Sequence, residues 1–249
     1  MLQPSRARRL ACGVGVLAAA ALALTACADA SASGAAGAIT PSARPAVSSA
    51  SPSPSVSPSV PAPVRGTVVT IGDSIMSGFG VDADEAWPEL LERETGVPIV
   101  NLGCDGAGFV AEGDCGTDYS GMLADAIADE PVLVIVQSSD NDADEDPAAI
   151  RSATQEVVAR LHAGLPHARI VGLSTLWNLP WEAPPTIEAS SDALEAAVTS
   201  VGGVFVPLGQ PFQDDPDLLQ ADSEHPTAEG QRVLASIVRV ALDDHGVRL

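Results

Sequence analysis

Two short segments carry residues whose types and spacing suit nucleophilic chemistry. Gly72-Asp73-Ser74 follows a β-branched run at residues 67–71 and offers a serine on a tight turn. A serine hydroxyl is a weak nucleophile. It needs an imidazole to take its proton and backbone N–H groups facing the oxygen of the group under attack. Taken alone, the tripeptide suits a helix cap equally well, because Asp and Ser are both favoured there. The second segment supplies a base. In Asp222-Ser223-Glu224-His225 an acid stands three residues before a histidine, close to the end of the chain. One turn at that offset brings the carboxylate to one ring nitrogen and fixes the tautomer, which leaves the other nitrogen for a serine. His162, His167 and His245 have no comparable company and read as surface residues.

These residues must be held by a scaffold, and the hydrophobic pattern supplies one. Strands are expected at residues 67–71, 98–101, 132–137, 169–176 and 204–208, and helices at 87–94, 119–128, 148–163, 186–201 and 227–244. Residues 132–137 are continuously apolar up to Gln137, as a strand covered on both faces should be. Alternating strands and helices at this interval argue for a parallel sheet with helices on both faces. In such sheets the working residues gather at the carboxyl ends of the strands, which is where both segments fall. Trp87 opens a helix and reads as packing. Trp177 and Trp181 lie on the loop after the fourth strand, and two readings fit them: a platform for a sugar ring or acyl chain, or a cover for the sheet edge.

The Gly-Asp-Ser turn, followed far downstream by Asp-x-x-His, resembles the SGNH (GDSL-type) hydrolases. Two further segments extend the resemblance in the family's order. Asn101-Leu102-Gly103-Cys104-Asp105-Gly106 is similar to the second block, and Ser139-Asp140-Asn141-Asp142 to the third, with Ser139 where the family pattern has Gly. The resemblance spans residues 72–230. It implies a flavodoxin-like three-layer α/β/α fold with a five-stranded parallel sheet, and ester hydrolysis through an acyl-enzyme. It makes Ser74 the nucleophile, His225 the proton shuttle and Asp222 the residue that orients it. Ser74 N–H, Gly106 N–H and Asn141 would hold the oxyanion, with Gly103 and Gly108 as alternatives to Gly106. No cofactor or metal is implied. The rivals are a catalytically silent polysaccharide-binding module of the same fold, and an acyltransferase using the same triad.

The acidic run Asp140, Asp142, Asp144, Glu145 and Asp146 invites a calcium reading. An EF-hand loop wants Gly at its sixth position and Glu at its twelfth, and those positions hold Glu145 and Arg151. The run is therefore expected to be a solvated loop that places negative charge at the start of the following helix. Cys104 and Cys115 have no neighbouring His, so zinc spacing is absent as well.

The ends of the chain bound where it works. Arg6, Arg8 and Arg9 precede an apolar run, residues 11–24, in the layout of a bacterial export signal, too short for a spanning helix of about 20 residues. Leu24-Thr25-Ala26-Cys27 resembles a lipobox, which makes residues 1–26 a lipoprotein signal peptide, Cys27 the acylated N-terminus, and the outer face of the cell membrane the expected location. Residues 27–65 are rich in Ala, Ser and Pro and lack aromatics; they read as a disordered tether with a reach of roughly 35 Å coiled and about 120 Å extended. Residues 66–249 form one expected domain, a monomer, holding seven of the twelve Arg and 32 of the 33 acids, with no Lys anywhere. Such a surface repels nucleic acid and leaves small-molecule or glycan esters as partners, and the membrane only through Cys27. In an exported domain, Cys104 and Cys115 form an even pair and are expected to be disulfide-linked.

Overall fold

The computed structural model describes residues 62–249, so the leader, Cys27 and all but the last residues of the tether lie outside the described residues. Five strands form one sheet: β1 (Val68–Gly72), β2 (Ile99–Gly103), β3 (Leu133–Gln137), β4 (Arg169–Leu173) and β5 (Val204–Val206). Their order is β2-β1-β3-β4-β5, and every neighbouring pair is parallel. That is the flavodoxin-like arrangement the resemblance implies.

Strand periodicity divides the core into two layers. Val68, Leu133, Ile135, Val171 and Leu173 face one way. They meet Ile75 and Met76 of α1 (Ser74–Ser77), Trp87 and Leu91 of α2 (Trp87–Thr95), and Leu234, Val238 and Leu242 of α6 (Ala228–Asp244). Val69, Ile71, Val134 and Val136 face the other way, onto α3 (Leu123–Ala128), α4 (Pro147–Gly164) and α5 (Pro185–Ser200). Because side chains alternate along a strand, continuous apolar runs are what a sheet covered on both faces requires. Among the described residues no helix is long and apolar enough to cross a membrane.

Several elements depart from the sequence pattern for local reasons. β4 and β5 end early because the Ser174 hydroxyl accepts from the Leu208 N–H at 2.9 Å, which takes over a donor the ladder would have used. The helix expected from Tyr119 begins as a 3-10 turn, Tyr119–Met122, capped by Asp118 accepting from the Ser120 N–H, and turns α-helical only at Leu123. The turn holding Ser74 is itself a helix. Asp73 caps α1 through its carboxylate, which accepts from the Ile75 N–H at 2.9 Å, and Gly78 closes it in the left-handed region at φ 81°. The capping role of Gly-Asp-Ser thus falls on Asp73, which leaves the Ser74 hydroxyl uncommitted to the cap.

Candidate active site

Ser74 is the first residue of α1, at the carboxyl end of β1. His225 lies 151 residues later, just before α6, and the Ser74 hydroxyl meets its Nε2 at 2.9 Å. The other ring nitrogen, Nδ1, donates to Asp222 Oδ2, also at 2.9 Å. Asp222 is held in turn. Its Oδ1 accepts from the Glu224 and His225 N–H groups at 3.0 and 3.1 Å, while Ser223 turns the chain through φ 62°. Partial burial pushes the Asp222 carboxyl upward, but these hydrogen bonds outweigh it and hold the carboxyl below its ordinary range. With Asp222 accepting at Nδ1, Nε2 carries the lone pair, and the arrangement can take a proton from Ser74.

Three residues outside both motifs fix this geometry. Gln231, wholly buried on α6, accepts from the Trp87 N–H at 2.9 Å and donates to the Ile75 carbonyl at 3.0 Å, which ties α1 and α2 to the helix that follows His225. Asn178, beyond β4, donates to the Glu224 carbonyl at 2.7 Å. Phe79 stacks at a tilt on His225, ring centroids 4.5 Å apart, and covers one face of the imidazole.

The end of β2 and the loop after it carry the glycine candidates, and the structure separates them. The Gly103 N–H donates to Asn101 Oδ1, and a side chain there would strike the backbone of Ser77, so Gly103 serves close packing against α1. The Gly108 N–H donates to the Ala111 carbonyl. The Gly106 N–H finds no acceptor among the described residues, and neither does that of Ser74; Gly106 adopts φ 77°. Cys104 and Cys115 are disulfide-bonded, Cα atoms 6.0 Å apart, and close the loop around Gly106. Asn141 sits on the 3-10 turn Asp140–Asp142 beyond β3 and donates from Nδ2 to the Ala107 carbonyl at 3.1 Å.

The expectation that the acidic run is solvated fails for its first half. Asp140 and Asp142 are buried. Asp142 accepts from three consecutive N–H groups, Oδ2 from Phe109 at 2.8 Å and Oδ1 from Val110 and Ala111 at 3.0 and 2.9 Å, and so clamps the Gly106 loop to the Asn141 turn. A Cβ on Gly108 would collide with this carboxylate. Burial, with the charges of Asp73 and Glu224 nearby, pushes the Asp140 carboxyl well above its ordinary range. Burial also raises Asp73 from 3.8 to about 6, despite hydrogen bonds from Ser139 and Ile75. Only the second half of the run behaves as expected: Asp144 and Asp146 are exposed, and Asp146 caps α4 by accepting from the Ala148 N–H at 2.8 Å.

Trp177 and Trp181 meet edge to face with centroids 6.3 Å apart, and Trp181 is 59% exposed, so the pair does not simply cover the sheet. The two rings line two adjoining cavities of about 750 and 440 Å³. The smaller also touches Asp140 and Glu224, chain neighbours of Asn141 and His225.

A flavodoxin-like sheet with a Ser-His-Asp relay at its carboxyl edge is the arrangement of the SGNH-type hydrolases. Residues 70–233 match the GDSL-like Lipase/Acylhydrolase family, to which the chain belongs. It is an ester hydrolase. The chain is 29% identical over 182 residues to "GDSL lipase Rv0518" of Mycobacterium tuberculosis, covering 68% of this chain and 78% of that protein. Among solved structures it resembles TesA, with a TM-score of 0.58 at 23% identity, covering 71% of this chain and 97% of that one. It also resembles a family two carbohydrate esterase from Clostridium thermocellum in complex with cellohexaose, with a TM-score of 0.57 at 14% identity, covering 74% of this chain and 65% of that one.

Proposed function

We propose that the protein hydrolyses short-chain acyl esters, in particular O-acetyl groups on carbohydrate, through an acyl-enzyme formed on Ser74. The carrying observation is the relay of two 2.9 Å hydrogen bonds from Ser74 through His225 to Asp222, beside two N–H groups without acceptors. Ser74 Oγ attacks the ester carbon as its proton passes to His225 Nε2, and Asp222 supports the imidazolium. The oxygen that gains charge is held by the Ser74 and Gly106 N–H groups and by the Asn141 amide. Collapse breaks the bond to the alcohol, which leaves with the proton from His225. Water then repeats the sequence on the acyl-enzyme and releases the acid.

The substrate reading rests on the groove. The exposed Trp181 indole and the half-buried Trp177 ring, flanked by carboxylates and amides, suit sugar rings, which offer an apolar face and hydroxyl edges. A domain of this size leaves little room for a lid over a long chain, and the loop carrying Gly106 is tied down by the Cys104–Cys115 disulfide, which favours an acetyl over a long chain. Lipidation at Cys27, with residues 27–65 as tether, would hold the domain at the outer membrane face among envelope glycans.

Hydrolysis of p-nitrophenyl esters from acetyl to octanoyl, by wild type and Ser74→Ala, tests the reading. The rate is expected to fall steeply with chain length, and Ser74→Ala to lose at least about a hundredfold in turnover. Trp181→Ala should impair acetylated oligosaccharides more than p-nitrophenyl acetate. A preference for octanoyl chains would overturn the substrate assignment, and an active Ser74→Ala the nucleophile.

A further inference from the structure

Resting on the reading of Asn141 as an oxyanion donor, we propose that Ser139 is a positioning residue that keeps one Asn141 amide hydrogen occupied until negative charge develops on the substrate. A primary amide has two N–H hydrogens. In this structure both are engaged: Nδ2 donates to the Ala107 carbonyl at 3.1 Å and to Ser139 Oγ at 2.9 Å. The same Oγ also accepts from the Asn141 backbone N–H at 3.1 Å, so Ser139 grips the asparagine at both ends. Ser139 is wholly buried and caps the Asp140–Asp142 turn. A glycine, the residue the family pattern has at this position, carries no hydroxyl and can make none of these contacts.

The chemistry of the exchange gives the arrangement its effect. A neutral ester carbonyl is no better an acceptor than the Ser139 hydroxyl, so a bound substrate gains little by displacing it. An oxyanion forms a charge-assisted hydrogen bond, about twice as strong as a neutral one, and takes the hydrogen. Asn141 therefore contributes chiefly where charge has formed, and an interaction made in the transition state but not in the ground state raises turnover rather than binding. Gly106 and Ser74 N–H have no such guard and can meet the carbonyl from the start.

Ser139→Ala deletes the competing oxygen with little change of volume, and Ser139→Gly restores the family residue. Stopped-flow acylation by p-nitrophenyl acetate separates the dissociation constant of the ester from the rate of acylation. The dissociation constant is expected to fall about fivefold in either variant, the worth of one neutral hydrogen bond gained by the bound ester, while the acylation rate stays within about twofold of wild type. In an Asn141→Ala background the same substitutions should change neither constant. A slower acylation with an unchanged dissociation constant would overturn the proposal and leave Ser139 a merely structural cap. So would an effect that persists without Asn141. Failure of an organophosphonate ester to label wild type covalently at Ser74 would instead remove the nucleophile reading on which the inference stands.

Discussion

Replacing Asp142 by Asn isolates what its buried carboxylate does, because size is kept and only charge and one acceptor are lost. Oδ1 serves the Val110 and Ala111 N–H groups and Oδ2 that of Phe109. The asparagine would keep its oxygen on the side with two donors and turn its NH₂ toward the Phe109 N–H, donor against donor. One charge-assisted hydrogen bond is lost, worth about 1.5–3 kcal/mol, and a buried donor is left unpaired, at about 1–3 kcal/mol more. A loss of about 4 kcal/mol in a domain of this size lowers Tm by about 10 °C. Turnover should fall with it, at least about tenfold, because the clamp joins the loop of Gly106 to the turn of Asn141, and small displacements of positioned groups are costly. Thermal denaturation by circular dichroism and steady-state hydrolysis of p-nitrophenyl acetate measure the two effects. Gly108→Ala, which drives a methyl group into the same carboxylate, should reproduce both. A Tm within about 2 °C of wild type together with unchanged turnover would refute the clamp.

Other expectations follow from single features. Asp73 titrates at about 6 in the fold against 3.8 in an unfolded chain, because burial disfavours its charge. The folded state therefore binds this proton more tightly. The penalty is absent below about pH 4, grows as pH rises to about 6, and stays near 3 kcal/mol above that. Asp73→Asn, which can still cap α1, should gain stability relative to wild type across that window; a Tm difference that does not vary with pH would count against it. Non-reducing peptide mapping should recover Cys104 joined to Cys115, and removing both sulfurs should cost about 3 kcal/mol in the chain-entropy model; free thiols at both positions would overturn the pairing. Cys27→Ala should move the protein from the membrane fraction to the soluble one, and continued sedimentation with membranes would remove the anchor assignment.

The fold was legible where burial alone dictates pattern. Val68 to Ile71 and Leu133 to Val136 are buried on both sides, so the second run is apolar throughout and the first is broken only by β-branched Thr70, and both can hardly be read as anything but inner strands. α1 was not legible, because four residues make a single turn and show no period. The ends of β4 and β5 depart from the hydropathy pattern for a different reason. Apolarity continues through Leu176 and Leu208, but pairing stops where the Ser174 side chain takes a donor, and no hydropathy pattern records which oxygen accepts a given hydrogen.

At the candidate site, residues suited to chemistry announce themselves by type, whereas those that hold them do not. Ser74, Asp222 and His225 stand out in the sequence because a hydroxyl, an imidazole and a carboxylate suited to a relay are chemically distinctive and two of them lie one turn apart. Gln231, Asn178 and Asp142 are ordinary polar residues whose meaning comes from partners 31 to 156 residues away. The acidic run shows the limit most sharply. Asp140, Asp142, Asp144 and Asp146 have the same composition and spacing, yet the 3-10 turn sends the first two inward and leaves the others in water. A buried carboxylate is tolerated only where donors converge on it, and for Asp142 they come from the loop that also carries Gly106. The hydrogen bonds that offset the burial of that charge and the geometry of the proposed oxyanion site are therefore bound together. A change that removes those bonds must loosen the site as well, and stability and turnover should fall together at Asp142.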